Sequence, residues 1–520
     1  MNHEDTKDAK EENKKDSILS PESWPFDLEW LPVPAYMVGG AVRDALLLRR
    51  REYLDLDFVV PIGAVETAST IAYHYKAGFV VLDPQRKIAR VVFKDATADF
   101  AEQEGDSLQT DLHRRDFTVN AIAYNPRTAE FIDPLQGTSD LQQGIMRMVS
   151  PANLEDDPLR LLRAYRQAGQ LGFVIEEETR SAIRQLAPLL AQIAAERVRV
   201  ELGYLLSSPQ GTPWLNAAWS DGILRWILHD DVTAANLALV AEIDRVSGKL
   251  AQIWPQFGVE LSSGVLGLAA DSKRTWIAIA KLASFLIPET WLSGIDELKV
   301  SEDFNATEEN PTPNPSPPRR GAQNGQEFNA TEENPTPNPS PPRRGAHFSP
   351  LSDIGEGGRG VRFIPVISLN YTRAGIRIEN SSVEDFLKEM KYSVPEIRAV
   401  NTILKFLPQL RSAPMSVREQ YFMFREVGVV FPALVLVAVA GGTKVDGIAA
   451  LCDRYLTPSD QVAHPTPLVT GNDLIQALNL KPSPKIGQLL TAVQIARIEG
   501  KISTPAEAIN FASQLLDTQQ

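Results

Sequence analysis

The stretch from Tyr36 to Val60 decides the fold; it reads YMVGGAVRDALLLRRREYLDLDFVV. Its first part predicts a strand that ends in a Gly-Gly turn and opens a helix. Glycine lets a backbone approach a bulky anion closely, and the N–H groups of a helix start point towards that anion. We therefore expect Gly39 and Gly40 to bind phosphate, with Arg43 adding a charged fork from the first helical turn.

The second part of this stretch predicts an apolar strand that carries two carboxylates. Side chains alternate along a strand, so Asp55 and Asp57 share one face. Two neighbouring carboxylates repel each other unless a cation lies between them, and Mg²⁺ binds through one or two carboxylates plus substrate phosphates. Alone, a Gly-Gly turn is usually only a turn and an Asp-x-Asp is often a solvated strand end. Their order and close spacing together predict metal-assisted nucleotidyl transfer.

Two further segments carry polar side chains that could join this site. Thr97–Phe100 is strand-like, so Asp99 is a candidate third carboxylate; the alternative is an exposed strand residue. The second segment, Asp111–Ala121, is rich in charged and amide side chains beside an apolar run. Its alternative interpretation is an N-terminal helix turn with an Arg–Asp ion pair. The candidates that it contributes are Asp111, Arg114, Arg115, Asp116 and Asn120.

From Pro151 onwards the pattern becomes helical. Glu155–Arg166 predicts the opening of one long helix, because acidic residues and proline suit a first turn. On that helix Asp157 and Arg160 would share a face, with Arg163 and Arg166 on the following turns. Further arginines predict a basic stripe, although a solvated face is an equally good interpretation: Arg180, Arg184, Arg197 and Arg199.

Composition bounds the remaining possibilities. The chain has 520 residues, enough for about three or four domains, and a net charge of −14 that argues against a broad nucleic-acid surface. The single cysteine, Cys452, excludes an internal disulfide framework and is expected to be a small buried residue.

The sequence predicts a cytoplasmic protein with no membrane association. The polar first 20 residues lack the apolar core of a secretory signal. The longest apolar run, Val427–Ala440, is interrupted by Pro432 and is shorter than the roughly 20 residues that span a bilayer. We expect this run to form a buried helix.

Residues 304–322 are repeated without change at 328–346. The repeat is proline-rich and polar, so it is expected to be disordered with polyproline character. It is best interpreted as an insertion into a surface loop, and a proline-rich ligand for a partner is the alternative.

These motifs occur together in one order: GGAVRD at 39–44, DLD at 55–57, RRDFTVNA at 114–121, DDPLRLLRA at 156–164 and ERVRVEL at 196–202. In this order they resemble class II tRNA nucleotidyltransferases and the bacterial poly(A) polymerases related to them. The resemblance is dense over residues 30–210 and looser afterwards. It implies an α+β fold: a nucleotidyltransferase head of the polymerase-β type, followed by an elongated all-α neck, body and tail.

The resemblance also implies roles for the candidate residues. Asp55, Asp57 and Asp99 would form the catalytic set, and Asp55 and Asp57 would bind Mg²⁺ in two-metal chemistry. Gly39, Gly40 and Arg43 would hold the triphosphate. The segment Asp111–Asp116, in particular Arg115 and Asp116, would meet the ribose and help to reject deoxynucleotides. Asp157 and Arg160 would read the incoming base. Further nucleotide-binding residues would be Asn120, Arg163 and Arg166. The partners implied are the tRNA 3′ acceptor end, CTP and ATP.

Hydrogen bonding is consistent with that base-reading role. A carboxylate only accepts and a guanidinium only donates. Cytosine and adenine offer an exocyclic amine beside a ring acceptor, whereas uracil and guanine place a carbonyl where the amine would be. Asp157 and Arg160 could therefore select C and A without a nucleic-acid template.

One departure from the family pattern favours CC addition over addition of the whole CCA end. Members that add the terminal A usually carry a longer flexible loop before the Asp-x-x-Arg-Arg-Asp element, but here only Ala101–Thr110 lies there. Adding A after C requires the base-reading site to rearrange, and a missing lever would block that step. Full CCA addition, poly(A) synthesis, small-molecule nucleotidyl transfer and non-catalytic RNA binding are the alternatives.

The domain organisation predicted from these patterns has six parts. They are a disordered tail (1–22), the catalytic head (23–150), a helical neck with the base-reading helix (151–210), a helical body (211–300), the disordered repeat insertion (301–361) and a helical body and tail (362–520). The oligomeric state does not follow from the sequence.

Overall fold

The computed structural model describes residues 18–49, 53–208, 210–228, 232–264, 274–288, 291, 382–411 and 414–517. All of them belong to one compact unit, which comprises residues 1–313 and 380–520. The predicted insertion at 301–361, its repeat and most of the predicted N-terminal tail lie outside the described residues. Ile18 and Leu19, inside the predicted tail, pack against the core of the head.

The head is built on a seven-stranded mixed sheet with the strand order β3-β4-β5-β2-β1-β6-β7. Its strands are β1 Tyr36–Val38, β2 Leu54–Val60, β3 Gly78–Asp83, β4 Ile88–Val92, β5 Ala96–Glu102, β6 Ala123–Asn125 and β7 Glu130–Ile132. A two-residue pair, β8 Ile145–Met146 and β9 Val174–Ile175, is separate from this sheet.

Parallel pairing of β2 with β5 is the feature that builds the site. The register places Asp55 opposite Thr97 and Asp57 opposite Asp99. On the other side of β2, strand β1 runs antiparallel and pairs Met37 with Phe58. The predicted strand around Asp99 is therefore confirmed, and Asp99 shares a sheet face with Asp57.

The two faces of β2 have different environments, as the alternating pattern predicts. Leu56 and Phe58 are fully buried in the main hydrophobic core, which also contains Ala68 and Ile71 of α2. Val59 belongs instead to a small cluster on the opposite face, together with Leu112. The carboxylates of Asp55 and Asp57 project on that second face, because side chains alternate along the strand.

The helices follow the order of the chain. Those of the head and neck are α1 Gly40–Leu46, α2 Ala64–Tyr75, α3 Leu108–His113, α4 Gly137–Gln143, α5 Pro151–Asp156, α6 Leu159–Leu171, α7 Glu177–Leu186 and α8 Ala195–Ser207. Those that follow are α9 Gly211–Ser220, α10 Ala234–Ile253, α11 Pro255–Ser262, α12 Trp276–Phe285, α13 Val383–Glu389, α14 Val394–Arg411, α15 Val417–Val427, α16 Phe431–Ala440, α17 Val445–Leu456, α18 Gly471–Ala477, α19 Pro484–Ile498 and α20 Pro505–Asp517. The fold is thus an α+β head, as predicted, followed by a mostly helical region that also contains the short strand β9.

The prediction of one long helix over 155–166 was wrong. Helix α5 ends at Asp156 and α6 begins at Leu159, with Asp157 in a non-helical conformation (φ −136°, ψ 88°). The cause is Pro158, which disfavours the helical conformation for the residue before it and has no N–H to donate. Asp157 and Arg160 therefore do not occupy adjacent turns of a single helix.

The apolar run 427–440 forms the buried helix that the sequence predicts. All ten residues of α16 are buried. By length and composition alone Val417–Ala440 could span a membrane, but 72% of its most apolar window is buried inside the protein. Cys452 of α17 is also fully buried, and burial raises the pKa of its thiol to about 12. The last three helices form a small core of their own around Leu474, Val493 and Ala508.

Close packing of the neck on the body depends on one small residue. A Cβ atom at Gly169 of α6 would lie 2.7 Å from Trp214 Cδ1 of α9, closer than side chains pack. Gly169→Ala should lower the free energy of unfolding by about 1–3 kcal/mol, because overpacking forces the ring to shift. Urea denaturation would measure this change.

A matched control is Gly248→Ala in the middle of α10, where an added methyl group meets nothing within 4 Å. This change should be neutral or stabilise by up to about 1 kcal/mol, because alanine favours helix more than glycine does. Equal effects of the two substitutions would show that the contact between α6 and Trp214 is not tight.

Candidate active site

The glycine bend lies directly against the carboxylates. Gly39 caps α1 with φ 69° and ψ −137°, a conformation that favours glycine. A Cβ atom there would be 3.4 Å from Arg115 Nη1 and 3.6 Å from Asp57 Oδ2. The space above Gly39 is therefore bordered by one cation and one carboxylate, and a side chain at this position would fill it.

The three carboxylates on this face have different partners. Asp55 Oδ1 accepts a hydrogen bond of 2.8 Å from Thr97 Oγ1. Asp99 accepts two hydrogen bonds from Arg90, of 2.6 Å and 2.8 Å. Within the described part of the chain, no side chain donates to Asp57 or forms an ion pair with it. Asp57 is thus the carboxylate of this face that has no side-chain partner among the described residues.

The electrostatics of Asp57 reflect this crowding. Burial, together with the charges of Asp55 and Asp99, raises the pKa of Asp57 from 3.8 to about 7. Arg115 and Arg90 oppose the rise. A negative charge on Asp57 is therefore costly until a cation joins it.

These residues fit a divalent cation that is completed by substrate oxygens. Among the described residues no group of three or more His, Cys, Asp or Glu side chains could hold a metal ion alone. Two carboxylates on one face are, however, the hard oxygen ligands that such an ion takes from a protein when substrate phosphates supply the others. The raised pKa of Asp57 indicates where the protein lacks positive charge.

Beside the bend, Arg43 enters a network of amide and acid side chains. Its Nη1 donates to Asn120 Oδ1 at 2.7 Å and to Gln167 Oε1 at 3.3 Å, while its Nε donates to Asp44. Asn120 Nδ2 donates in turn to Asp116 Oδ1 at 2.9 Å and to Gln167 Oε1 at 2.9 Å. The network joins α1 to the neck helix α6 and fixes the direction of the Arg43 guanidinium.

Asp116 is the buried centre of this network. Arg163 of α6 donates to Asp116 Oδ2 through Nε and Nη2, at 3.1 Å and 2.8 Å. Burial alone would raise the pKa of Asp116, but the charge of Arg163 and the hydrogen bonds from Asn120 and the Phe117 N–H hold it well below its usual range. Asp116 stays ionised, and it orients Arg163 rather than presenting a free carboxylate.

A second ion pair holds Arg115 next to the bend. Arg115 donates to Asp111 Oδ2 through Nε and Nη2, at 3.3 Å and 3.0 Å. Asp111 Oδ1 also accepts from the backbone N–H of Glu104, and Arg114 pairs with Glu104 at 3.2 Å. The alternative interpretation of this segment is confirmed in part, because Asp111 lies in the first turn of α3 and pairs with Arg115, although Arg114 and Arg115 follow the end of that helix.

The proposed base-reading residues occupy the break between α5 and α6. Asp157 Oδ2 pairs with Arg197 Nη2 of α8 at 2.9 Å. Arg160 Nη1 donates to two backbone carbonyls, those of Arg114 and Asn153, at 3.0 Å and 2.9 Å. Asp157 and Arg160 are thus oriented by different partners, and their role towards a base remains a prediction.

In the described part of the neck, the predicted arginines do not form a continuous basic stripe. Arg166 pairs with Glu201, and Arg180 is buried and paired with Asp221. The other predicted members have acidic partners as well: Arg163 with Asp116, Arg184 with Glu177 and Asp221, Arg197 with Asp157, and Arg199 with Glu396. The predicted stripe was based on the arginines alone. It did not include the carboxylates that pair with them, which come from distant positions in the chain.

Some residues of the site were missed by the sequence analysis. Gln167 is buried and bridges Arg43, Asn120 and Asp116; its signal was the spacing of four from Arg163 on the same helix. Asn153 is also buried, and its Nδ2 donates to the carbonyls of His113 and Arg115. No local sequence pattern predicts the role of Asn153, because its hydrogen-bond partners lie about 40 residues away in the chain.

The head fold and this site define a nucleotidyltransferase. A sequence model described as the poly A polymerase head domain matches residues 35–147, and one described as tRNA nucleotidyltransferase domain 2 matches residues 373–512. The chain is 44% identical over 497 residues to the CC-adding tRNA nucleotidyltransferase of Synechocystis sp., covering 94% of this chain and 96% of that protein. The chain therefore belongs to the tRNA nucleotidyltransferase family of enzymes.

More distant relatives and solved structures agree with this assignment. The A-adding tRNA nucleotidyltransferase of Deinococcus radiodurans is 42% identical over 183 residues, 34% of this chain and 41% of that protein. The structure of a CCA-adding enzyme with CTP aligns with a TM-score of 0.57 at 18% identity, covering 93% of this chain and 91% of that one. The Thermotoga maritima CCA-adding enzyme with tRNA aligns with a TM-score of 0.55 at 18% identity, covering 93% and 91%. At this identity the structural likeness concerns the fold alone.

Asp57→Asn should stabilise the metal-free protein at pH 8. Because the folded-state pKa of about 7 lies above the ordinary 3.8, the folded protein binds an extra proton between these values, and wild-type stability falls as pH rises through that window. Removing the charge should add on the order of 1–2 kcal/mol after solvent screening. Thermal unfolding at pH 8 and pH 4 would measure the effect.

The gain should shrink at pH 4, where wild-type Asp57 is already protonated in the folded protein. Asp95→Asn, at an exposed turn residue of the head, is the matched control and should show no such pH-dependent gain. An Asp57→Asn protein that is less stable than wild type at pH 8 would contradict the crowded carboxylate face.

Proposed function

We propose that this protein adds cytidines from CTP to the 3′ end of tRNA without a nucleic-acid template and stops after two. The observation that carries the proposal is the Gly39 bend, where an added Cβ atom would lie within van der Waals range of Asp57 and Arg115. One pocket can thus hold a triphosphate beside metal-binding carboxylates. The likeness to a CC-adding relative along nearly the whole chain supports the choice of substrate.

Asp55 and Asp57 would hold Mg²⁺ together with the triphosphate. When bound, such an ion supplies charge stabilisation for the reacting phosphate and lowers the pKa of the attacking 3′-hydroxyl. The chain itself binds and orients: Gly39 and Gly40 offer backbone N–H groups, and Arg43 offers a guanidinium that Asn120 holds in place. Since its substrates are tRNA and nucleoside triphosphates, we also propose that the enzyme works in the cytoplasm.

Base choice is assigned to Asp157 and Arg160. A cytosine can donate its amine to the carboxylate and accept from the guanidinium, whereas uracil meets the carboxylate with a carbonyl. The pairing of Asp157 with Arg197 leaves Oδ1 for the base, apart from a weak 3.4 Å contact with the Leu159 N–H. Arg160 is anchored through Nη1 alone, so its other donors remain for a ligand.

Termination after two cytidines is attributed to a short, anchored connection between β5 and α3. Only residues 103–107 join the two elements. The Gln103 N–H donates to the Val60 carbonyl at 2.8 Å, and the Glu104 N–H donates to Asp111. A connection that is tied at this end has little freedom to reshape the base-reading site for ATP.

Addition of the complete CCA end is the second candidate, since solved structures of the same fold include CCA-adding enzymes with CTP and with ATP. Incubating purified protein with Mg²⁺ and tRNA transcripts that lack CCA distinguishes the two. We expect growth by two nucleotides with CTP alone, and the same product with CTP and ATP together. A transcript that already ends in CC should not be extended.

Addition of one A to the CC-ended transcript would establish the complete reaction instead. A long A tract would indicate poly(A) synthesis. Absence of any incorporation by folded protein would contradict the enzyme assignment for this site.

Asp157→Ala should impair base choice more than triphosphate affinity. Loss of one polar contact worth about 1–3 kcal/mol should reduce discrimination of CTP against UTP by roughly 10–100-fold. Competition between the two nucleotides, read from the sequence of the added residues, would measure the ratio.

Asp156→Ala is the matched control, because that neighbouring carboxylate is exposed. It should leave base selection within about twofold of wild type. Unaltered selection in both variants would remove Asp157 from the base-reading role.

A further inference from the structure

A row of paired residues crosses the sheet on the active-site face. Asp57 of β2 lies opposite Asp99 of β5, Asp99 opposite Arg90 of β4, and Arg90 opposite Val80 of the edge strand β3. Cross-strand partners project from the same face, so the four side chains form one line. Three strand spacings of about 4.8 Å make this line about 14 Å long.

The triphosphate site occupies the other side of β2. Gly39 follows β1, the neighbour of β2 opposite β5, and the network around Asp116 joins the site from the neck. In nucleotidyl transfer the attacking and leaving oxygens lie roughly in line with the reacting phosphate. The attacking hydroxyl therefore has to arrive from the β5 side, across the row that ends at Val80.

The surface along this path is apolar with one cation. Val80 and Val92 are 47% and 38% exposed, and the Arg90 side chain between them is 38% exposed. Gly78, opposite Val92, adds no side chain. Arg90 uses Nε and Nη2 to hold Asp99, and it carries positive charge at the middle of the row. Exposed apolar groups beside a guanidinium can contact nucleobase faces and a phosphate.

We propose that the face of β4 and β3 formed by Arg90, Val92 and Val80 is the track for the last nucleotides of the tRNA 3′ strand. Continuity with the catalytic carboxylates favours RNA over a protein partner as the occupant. The track rests on the proposed function and deepens it, because it names the strand surface over which the primer reaches Asp57.

The edge strand supplies its own control. Val81 adjoins Val80 but points to the opposite face, where its partner Ala89 is buried. Val81 and Phe79 are 38% and 39% exposed, close to the values on the active-site face. A substitution at 80 or 81 thus changes a similar environment on the same strand, and only the former lies on the track.

The test compares Val80→Glu, Val80→Lys and Val81→Glu in the full-length chain, with steady-state CTP incorporation into tRNA lacking CCA. Val80→Glu should raise KM for tRNA about tenfold by repelling phosphates and removing an apolar contact, while KM for CTP stays unchanged. Val80→Lys should retain KM for tRNA near wild type or lower it. Val81→Glu should match wild type in both constants, and thermal unfolding would verify that all variants are folded.

A photo-crosslinking amino acid at position 80 should capture the 3′-terminal nucleotides of bound tRNA, and the same group at position 81 should not. Equal effects of Val80→Glu and Val81→Glu on KM for tRNA would overturn the track. Equal effects accompanied by a lower mass in light scattering would assign the edge strand to a contact between protein chains instead. Because two-cytidine addition by the wild type is measured separately, failure of the track leaves the proposed function intact.

Discussion

Like-charge repulsion on one face of the sheet is the constraint on which the site depends. Parallel pairing of β2 with β5 brings Asp55, Asp57 and Asp99 onto the same face. The fold compensates only part of this charge, through Arg90 on Asp99 and through Arg115 near Asp57. Burial and the uncompensated charge of the neighbouring carboxylates together raise the pKa of Asp57 to about 7 and make a cation favourable there. The catalytic strand is thus less favourable electrostatically without a metal than with one.

Asp116 balances a second set of charges and transmits the position of the neck to the head. Its two oxygens receive Asn120 from the head and Arg163 from α6. Asn120 in turn holds Arg43, which also donates directly to Gln167 of α6, so the Arg43 guanidinium is tied to the neck. A shift of α6 would therefore change the position of this guanidinium. Truncating one member would leave the others buried without partners, which is more costly than losing one exposed contact.

The sequence was informative where chemistry repeats at short spacing. The glycine bend, the Asp55–Asp57 pair and the strand around Asp99 were predicted because strand alternation and turn residues are local signals. The order and close spacing of the bend and the Asp pair also predicted that they share a site, whereas the register that places Asp99 opposite Asp57 is not a local property. Pro158 marks a helix break as well as a helix start, because proline also restricts the conformation of the residue before it.

The partners of the arginines could not be predicted from the pattern of charge. Arg163 pairs with Asp116, which lies 47 positions away in the sequence, and Arg197 pairs with Asp157, which lies 40 positions away. A run of basic residues on a helix indicates a nucleic-acid surface only when the carboxylates lie elsewhere, and here tertiary packing places them alongside. The role of Gln167 could not be predicted for a related reason. A glutamine on a helix is recognised as part of a site only when the helix face that it shares with Arg163 is known to be buried.

The paired arginines also explain how an acidic chain can handle RNA. With a net charge of −14, long-range attraction of phosphates is weak, so binding has to come from short-range contacts at specific positions. Arginines that are held by carboxylates keep their geometry before the ligand arrives, and little side-chain entropy is then lost on binding. A ligand that contacts few unpaired cations releases few counterions, so its affinity depends only weakly on salt. Recognition of RNA by such a chain therefore depends on shape and hydrogen-bond direction more than on net charge.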